Sequence, residues 1–220
     1  MATRIPLAER LRPHQLNDYV GQQHIVGPDA VLYHAIQQKN IPSMILWGPP
    51  GVGKTSLALL IAKELDRPFF SLSAIQAGVK DIREVIDKAE RLMNFNQDQP
   101  ILFIDEIHRF SKSQQDSLLG AVERGLVTLI GATTENPSFE VISALLSRCQ
   151  VYVLEHLSEE DLIGLVQKAL HEDEYLQKHD IVVEEYEALL RLSGGDARKL
   201  LNVLELVVNA AVLHRQPITN

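Results

Sequence analysis

The sequence lacks several features that would direct it to particular chemistries. It has one cysteine, Cys149, so no internal disulfide can form, and its eight scattered histidines include neither HExxH nor a paired Cys/His spacing for zinc. No apolar run approaches the roughly 18 residues that a membrane span needs. The N-terminal Met1-Ala2-Thr3-Arg4-Ile5-Pro6 lacks the apolar stretch of a secretion signal, so a cytoplasmic protein is expected. An excess of basic residues is missing too. With 21 Lys and Arg against 29 Asp and Glu, the formal net charge is −8, which argues against coating nucleic acid through bulk electrostatics. Any such contact has to be local or shared between subunits. What remains is an ordinary globular composition, 45% hydrophobic and 23% charged over 220 residues, enough for one large domain and a small one.

Apolar runs of strand length alternate with segments of helical period: Met44 to Trp47, Phe69 to Leu72, Ile101 to Ile104, Val127 to Ala132 and Val151 to Leu154. Continuous rather than alternating hydrophobicity predicts strands buried on both faces, hence an α/β fold with a parallel five-stranded sheet flanked by helices. After Leu157 the pattern becomes helical. Ser158-Glu159-Glu160-Asp161 reads as a capped start with an acidic first turn. Helices are expected from Ser158 to about His171, Glu184 to Leu192 and Asp196 to His214, with Gly194-Gly195 breaking the last two. The expected division is 1–156 for the α/β domain and 157–220 for a small helical one. Trp47 is expected in the core, and Cys149 as a small packed residue rather than a nucleophile, since no base is identified for it.

Gly48-Pro49-Pro50-Gly51-Val52-Gly53-Lys54-Thr55 matches G-x-x-x-x-G-K-[ST] and stands between a predicted strand and a helical run opening at Ser56, the context the motif requires. The glycines let backbone amides turn inward around a β-phosphate, and the following helix presents its positive end to the same charge. Lys54 adds a point charge for the β- and γ-phosphates, and Thr55 offers a hydroxyl to Mg²⁺. The pair Asp105-Glu106 ends the apolar run from Ile101, where ligands of open α/β sheets bind. Asp105 suits holding the metal through its waters, and Glu106 suits a general base polarising the attacking water. His108, Arg109 and Lys112 follow and are expected as charges on a solvated helix end.

Phe103 to Asp116, Gly131 to Glu140 and Ser143 to Cys149, with the N-terminal Leu7 to Pro13, closely resemble the RarA/MgsA family of replication-associated AAA+ ATPases, whose eukaryotic relatives include the Werner-helicase-interacting ATPase. The segment Thr134 to Glu140 is far more selective than the phosphate loop. The resemblance implies an AAA+ P-loop ATPase core followed by a helical lid, ATP and Mg²⁺ as cofactors, and DNA-stimulated hydrolysis at stalled forks, gaps or ends in replication, repair and recombination. It implies roles as well: Thr134 as the sensor of the γ-phosphate, Arg148 as an arginine finger entering a neighbouring subunit's site, and Arg198 as the lid's sensor. Tyr19, Val20 and Ile25 resemble the adenine-side segment. Where many clamp-loader relatives carry a polar residue, often asparagine, that restrains the catalytic glutamate until DNA binds, this chain has Ser73.

Family members continue into a C-terminal helical region that forms tetramers, so the end at Pro217-Ile218-Thr219-Asn220 suggests a shorter fragment. Single-strand-binding protein is a further implied partner, and association with the nucleoid a further implied location. The same motifs also serve clamp-loader subunits, branch-migration motors and nucleotide-gated assembly modules with little hydrolysis. These alternatives stay open on sequence, because function lies in surfaces grafted onto a common core.

Overall fold

The computed structural model describes residues 5–95 and 98–214; the Met1 to Arg4 and Pro217 to Asn220 stretches discussed above lie outside them. Five strands, β1 Met44–Trp47, β2 Phe69–Ser73, β3 Ile101–Asp105, β4 Thr128–Thr133 and β5 Gln150–Val153, form one parallel sheet in the order β2-β3-β4-β1-β5. The continuous apolar runs explain this arrangement. Met44, Leu46, Ile101, Phe103, Ile130 and Ala132 enter one core with Leu57, Ala58 and Ile61 of the helix Lys54–Glu64. The intervening Ile45, Leu102, Ile104 and Leu129 enter a second core with Ile82, Val85 and Ala89 of the helix Val79–Asn94. A side-chain period of two thus feeds two apolar layers, so both faces must be hydrophobic. Each such fully buried Leu or Ile contributes roughly 1.5–3 kcal/mol relative to exposure. The edge strands β2 and β5 are only partly buried, because each lacks a neighbour on one side.

After β5 the described elements are helical, with principal helices Glu159–Glu172, Glu187–Ser193 and Ala197–His214. The first starts one residue after Ser158, whose hydroxyl accepts the Asp161 N–H while the Asp161 carboxylate accepts the Ser158 N–H, both at 3.1 Å. Leu157, Leu162, Val166, Ala169, Leu189, Leu200, Leu204 and Val208 form a third core.

That third core also takes Leu7, from the far end of the chain. The short helix Leu7–Arg10 lies against the helical part, with the Arg10 Nε 2.6 Å from the Asp173 carboxylate and Nη1 2.8 Å from that of Glu205. The Leu7 N–H donates to Glu205 Oε2 at 3.0 Å. A division that assigns 1–156 wholly to the sheet therefore leaves out a long-range docking, which no local pattern in the sequence reports.

Candidate active site

The phosphate loop leaves β1 and runs directly into the helix Lys54–Glu64, so the first turn of that helix opens onto the carboxyl ends of the strands. Gly51 and Gly53 adopt φ +71° and +98°, and the space around them is closed. A Cβ on Gly53 would approach the Tyr19 hydroxyl to 2.7 Å, and one on Gly51 would overlap the Asp196 carboxylate. The Lys54 ammonium donates to the carbonyls of Gly48 and Pro49, 2.7 Å in each case. Burial pushes its pKa below 10.5, opposed by the negative charges of Glu106 and Asp105, while Arg198 pushes it further down. Bringing a polyanion beside Lys54 would favour its charged form.

Asp105 closes β3, and Glu106 turns out of the strand with φ 56° and ψ 44°, in the left-handed region. For a glutamate this is a sparsely populated conformation costing of order 1–3 kcal/mol, of the kind that clusters at functional sites. The following 3-10 turn Ile107–Arg109 is anchored by the fully buried Ile107, and it brings His108 back over the strand ends. His108 Nε2 lies 3.2 Å from Glu106 Oε2, and His108 Nδ1 lies 2.9 Å from Thr133 Oγ1. The expectation of a solvated His108 is therefore corrected, whereas Arg109 and Lys112 are exposed as expected. Ser73 sits opposite Asp105 in the β2–β3 register, and the side-chain partner of Glu106 is His108.

A cleft of about 400 Å³ gathers Pro50 to Ser56, Tyr19, Val20, Asp105, Glu106, Thr134 and Arg198. Gly48 and Pro49 lie behind it as acceptors for Lys54. Ile25 does not line the cleft; it is buried in the first core. Arg148 is also outside. It is exposed, donates to Ala144 O at 2.7 Å and Ser147 Oγ at 3.0 Å, and pairs with Glu123. Cys149 is packed against the second core, where burial pushes its thiol pKa up to about 11.

The helical part reaches the loop directly. The Ala197 N–H donates to Gly51 O at 3.2 Å, and the Asp196 carboxylate caps the helix Ala197–His214 by accepting the Lys199 N–H at 2.8 Å. On the other side the buried Gln22, at φ 56°, exchanges two side-chain bonds with the backbone of Glu155 at 2.7 and 2.9 Å. It pins the Tyr19 segment to the chain leaving β5. On sequence, Thr133 and Asp196 carry no assigned role in the site, and Gln22 stands within the Tyr19 to Val26 stretch that resembles the adenine side. A threonine pair at the end of a strand and an aspartate after Gly194-Gly195 were the only local signals.

Thr55 and Asp105 place a hydroxyl and a carboxylate in the same cleft, the hard oxygen donors that suit Mg²⁺. Among the described residues no group of three His, Cys, Asp or Glu side chains forms a metal cage. An ion held here would take its remaining ligands from phosphate and water.

A parallel sheet with a phosphate loop after β1 and an acidic pair closing β3 defines a P-loop ATPase fold. The chain belongs to the ATPase family associated with various cellular activities (AAA), whose model matches residues 44–157. It is 49% identical over 211 residues to replication-associated recombination protein A of Coxiella burnetii, covering 94% of this chain and 47% of that protein. The corresponding Escherichia coli protein is 47% identical over 209 residues, 94% of this chain and 46% of that protein. ATPase WRNIP1 of Dictyostelium discoideum is 45% identical over 207 residues, 93% of this chain and 24% of that protein. These relatives fall in the family that residues 103–149 resemble. The chain thus spans about half the length of the bacterial relatives. Among solved structures it is similar to the Thermotoga maritima RuvB Holliday junction branch migration motor, with TM-score 0.75 and 26% identity over 96% of this chain and 69% of that one.

Proposed function

We propose that the chain is the nucleotide-hydrolysing part of a replication-associated recombination ATPase, which binds ATP with Mg²⁺ and hydrolyses it in work on DNA forks, gaps or ends. The observation that carries this reading is a single cleft in which Lys54, Thr55, Asp105, Glu106, Thr134 and Arg198 converge from the sheet and the helical part.

The backbone amides from Gly51 to Lys54 and the start of the helix Lys54–Glu64 cradle the β-phosphate, with Tyr19 and Val20 on the adenine side. Lys54 exchanges its carbonyl partners for phosphate oxygens. Thr55 and Asp105 would hold Mg²⁺, which when bound neutralises charge on the transferred phosphate. Glu106 acts as general base toward water, and Thr134 orients the γ-phosphate. Residues 157–220, with the docked Leu7–Arg10 segment, act as a lid over residues up to 156. Arg198 reaches the γ-phosphate in cis, so hydrolysis changes the lid's attachment and converts chemistry into domain motion. Arg148, outside its own cleft and exposed, completes a neighbouring subunit's site. Such fingers contribute roughly 10³ to 10⁵ in rate in other P-loop enzymes.

In the longer protein we place this part in a homotetramer that meets DNA and single-strand-binding protein in the cytoplasm, on the nucleoid. The likeness to RuvB supports branch migration as a second reading, and the higher identity to the recombination proteins favours the first. Steady-state phosphate release without DNA and with forked, gapped, blunt-ended or Holliday-junction DNA tests the proposal. Stimulation by DNA ends is expected. Stimulation by Holliday junctions alone supports the second reading, and no response to any DNA rejects both DNA assignments.

A further inference from the structure

We infer that His108 and Thr133 are positioning residues for hydrolysis: they hold the Glu106 carboxylate in its working orientation and tie it to the turn that carries Thr134. This rests on reading Glu106 as the general base.

Glu106 lines the cleft while one of its two carboxylate oxygens, Oε2, is engaged by His108 at 3.2 Å. The other oxygen remains for a water. A glutamate side chain alone has three rotatable bonds, and a base must hold its oxygen within a few tenths of an ångström of the productive place. The His108 side chain is itself only 8% exposed and held at both ring nitrogens, by Glu106 on one side and Thr133 on the other.

The proton directions are consistent along the chain of bonds. A carboxylate oxygen accepts, so the contact with Glu106 needs a proton on His108 Nε2, which leaves Nδ1 as the acceptor in the single-proton tautomer. The Thr133 hydroxyl has two acceptors in reach, His108 Nδ1 at 2.9 Å and Glu135 O at 3.2 Å, and in this arrangement its one proton serves Nδ1, while its oxygen accepts the Glu135 N–H at 3.0 Å. Thr133 is fully buried at the end of β4, where its neighbour Thr134 faces the cleft. The segment Thr133-Thr134-Glu135 therefore touches the γ-phosphate side through Thr134 and the base through Thr133 and His108. A shift of that turn on substrate binding reaches Glu106 through the Thr133–His108 hydrogen bond and the 3.2 Å contact of His108 with the carboxylate.

The test measures kcat, KM, nucleotide affinity with a fluorescent ATP analogue and thermal melting for the full chain and its variants. Thr133→Val keeps the shape and removes the hydroxyl, Thr133→Ser keeps the hydroxyl, and His108→Ala removes the link. Both Thr133→Val and His108→Ala should lower kcat roughly tenfold or more with affinity within about twofold, as expected for a misplaced base. Thr133→Ser should stay near wild type. Because Thr133 acts through His108, the double variant should be no slower than His108→Ala. Wild-type kcat in the single variants, losses that multiply in the double variant, or a raised kcat overturns the inference. Glu106→Gln separates the two layers. If it abolishes hydrolysis while His108→Ala and Thr133→Val match wild type, the inference alone fails. If Glu106→Gln itself hydrolyses like wild type, the reading of Glu106 fails and the inference falls with it.

Discussion

Lys54 sits where burial and charge oppose one another. Its ammonium is enclosed, the described residues supply two carbonyl acceptors, and burial holds its pKa below the usual lysine value. A triphosphate supplies the missing negative charge, so binding and protonation of Lys54 reinforce each other. Lys54→Ala should weaken binding of a fluorescent ATP analogue by roughly 10²-fold, the scale of losing one preorganised charged donor, with a melting temperature close to wild type. Lys54, Thr55, Asp105 and Glu106 were legible in the sequence because their motif spacings are local. His108 and Thr133 were not, because they are 25 residues apart and meet only through the pairing of β3 with β4. Ile25 was legible as apolar, but an apolar side chain beside a ligand and one in the core read alike.

The short N-terminal helix Leu7–Arg10 depends on an ion cluster for its place on the helical part. Burial alone would raise the Asp173 pKa, but hydrogen bonds from the Arg10 guanidinium and from the Leu176 and Tyr175 N–H groups outweigh it and hold the carboxyl below 3.8. A carboxyl depressed in the folded state stabilises above its unfolded value near 3.8, and that stabilisation is lost as pH falls through the folded value. Asp173→Asn should cost about 2 kcal/mol at neutral pH, a melting decrease of roughly 4–8 °C, and flatten the stability profile below pH 4. Thermal melts across pH check both. The strands and the helix starting near Ser158 were legible because their signals are continuous hydrophobicity and a capping box. The helix expected from Glu184 begins at Glu187 without a side-chain cap, so nothing local marks its start. The docking of Leu7–Arg10 depends on partners more than 160 residues away.

At the scale of the whole molecule, the cleft takes residues from both the sheet and the helical part, while Arg148 is held by its own chain outside it. Exposed ion pairs contribute about 0–1 kcal/mol, so the contact with Glu123 can yield to a phosphate in a neighbouring site. Mixing Arg148→Ala with Glu106→Gln chains should restore activity that each lacks alone; independent single sites would leave the mixture at the average of the two. The central claim is that this one cleft performs hydrolysis with Glu106 as base. Single-turnover hydrolysis of Mg-ATP by excess chain, run beside nucleotide binding, tests it most directly. Glu106→Gln should bind within about twofold of wild type and hydrolyse roughly 10²-fold more slowly or worse; equal rates in the two, whether both fast or both negligible, would contradict the claim.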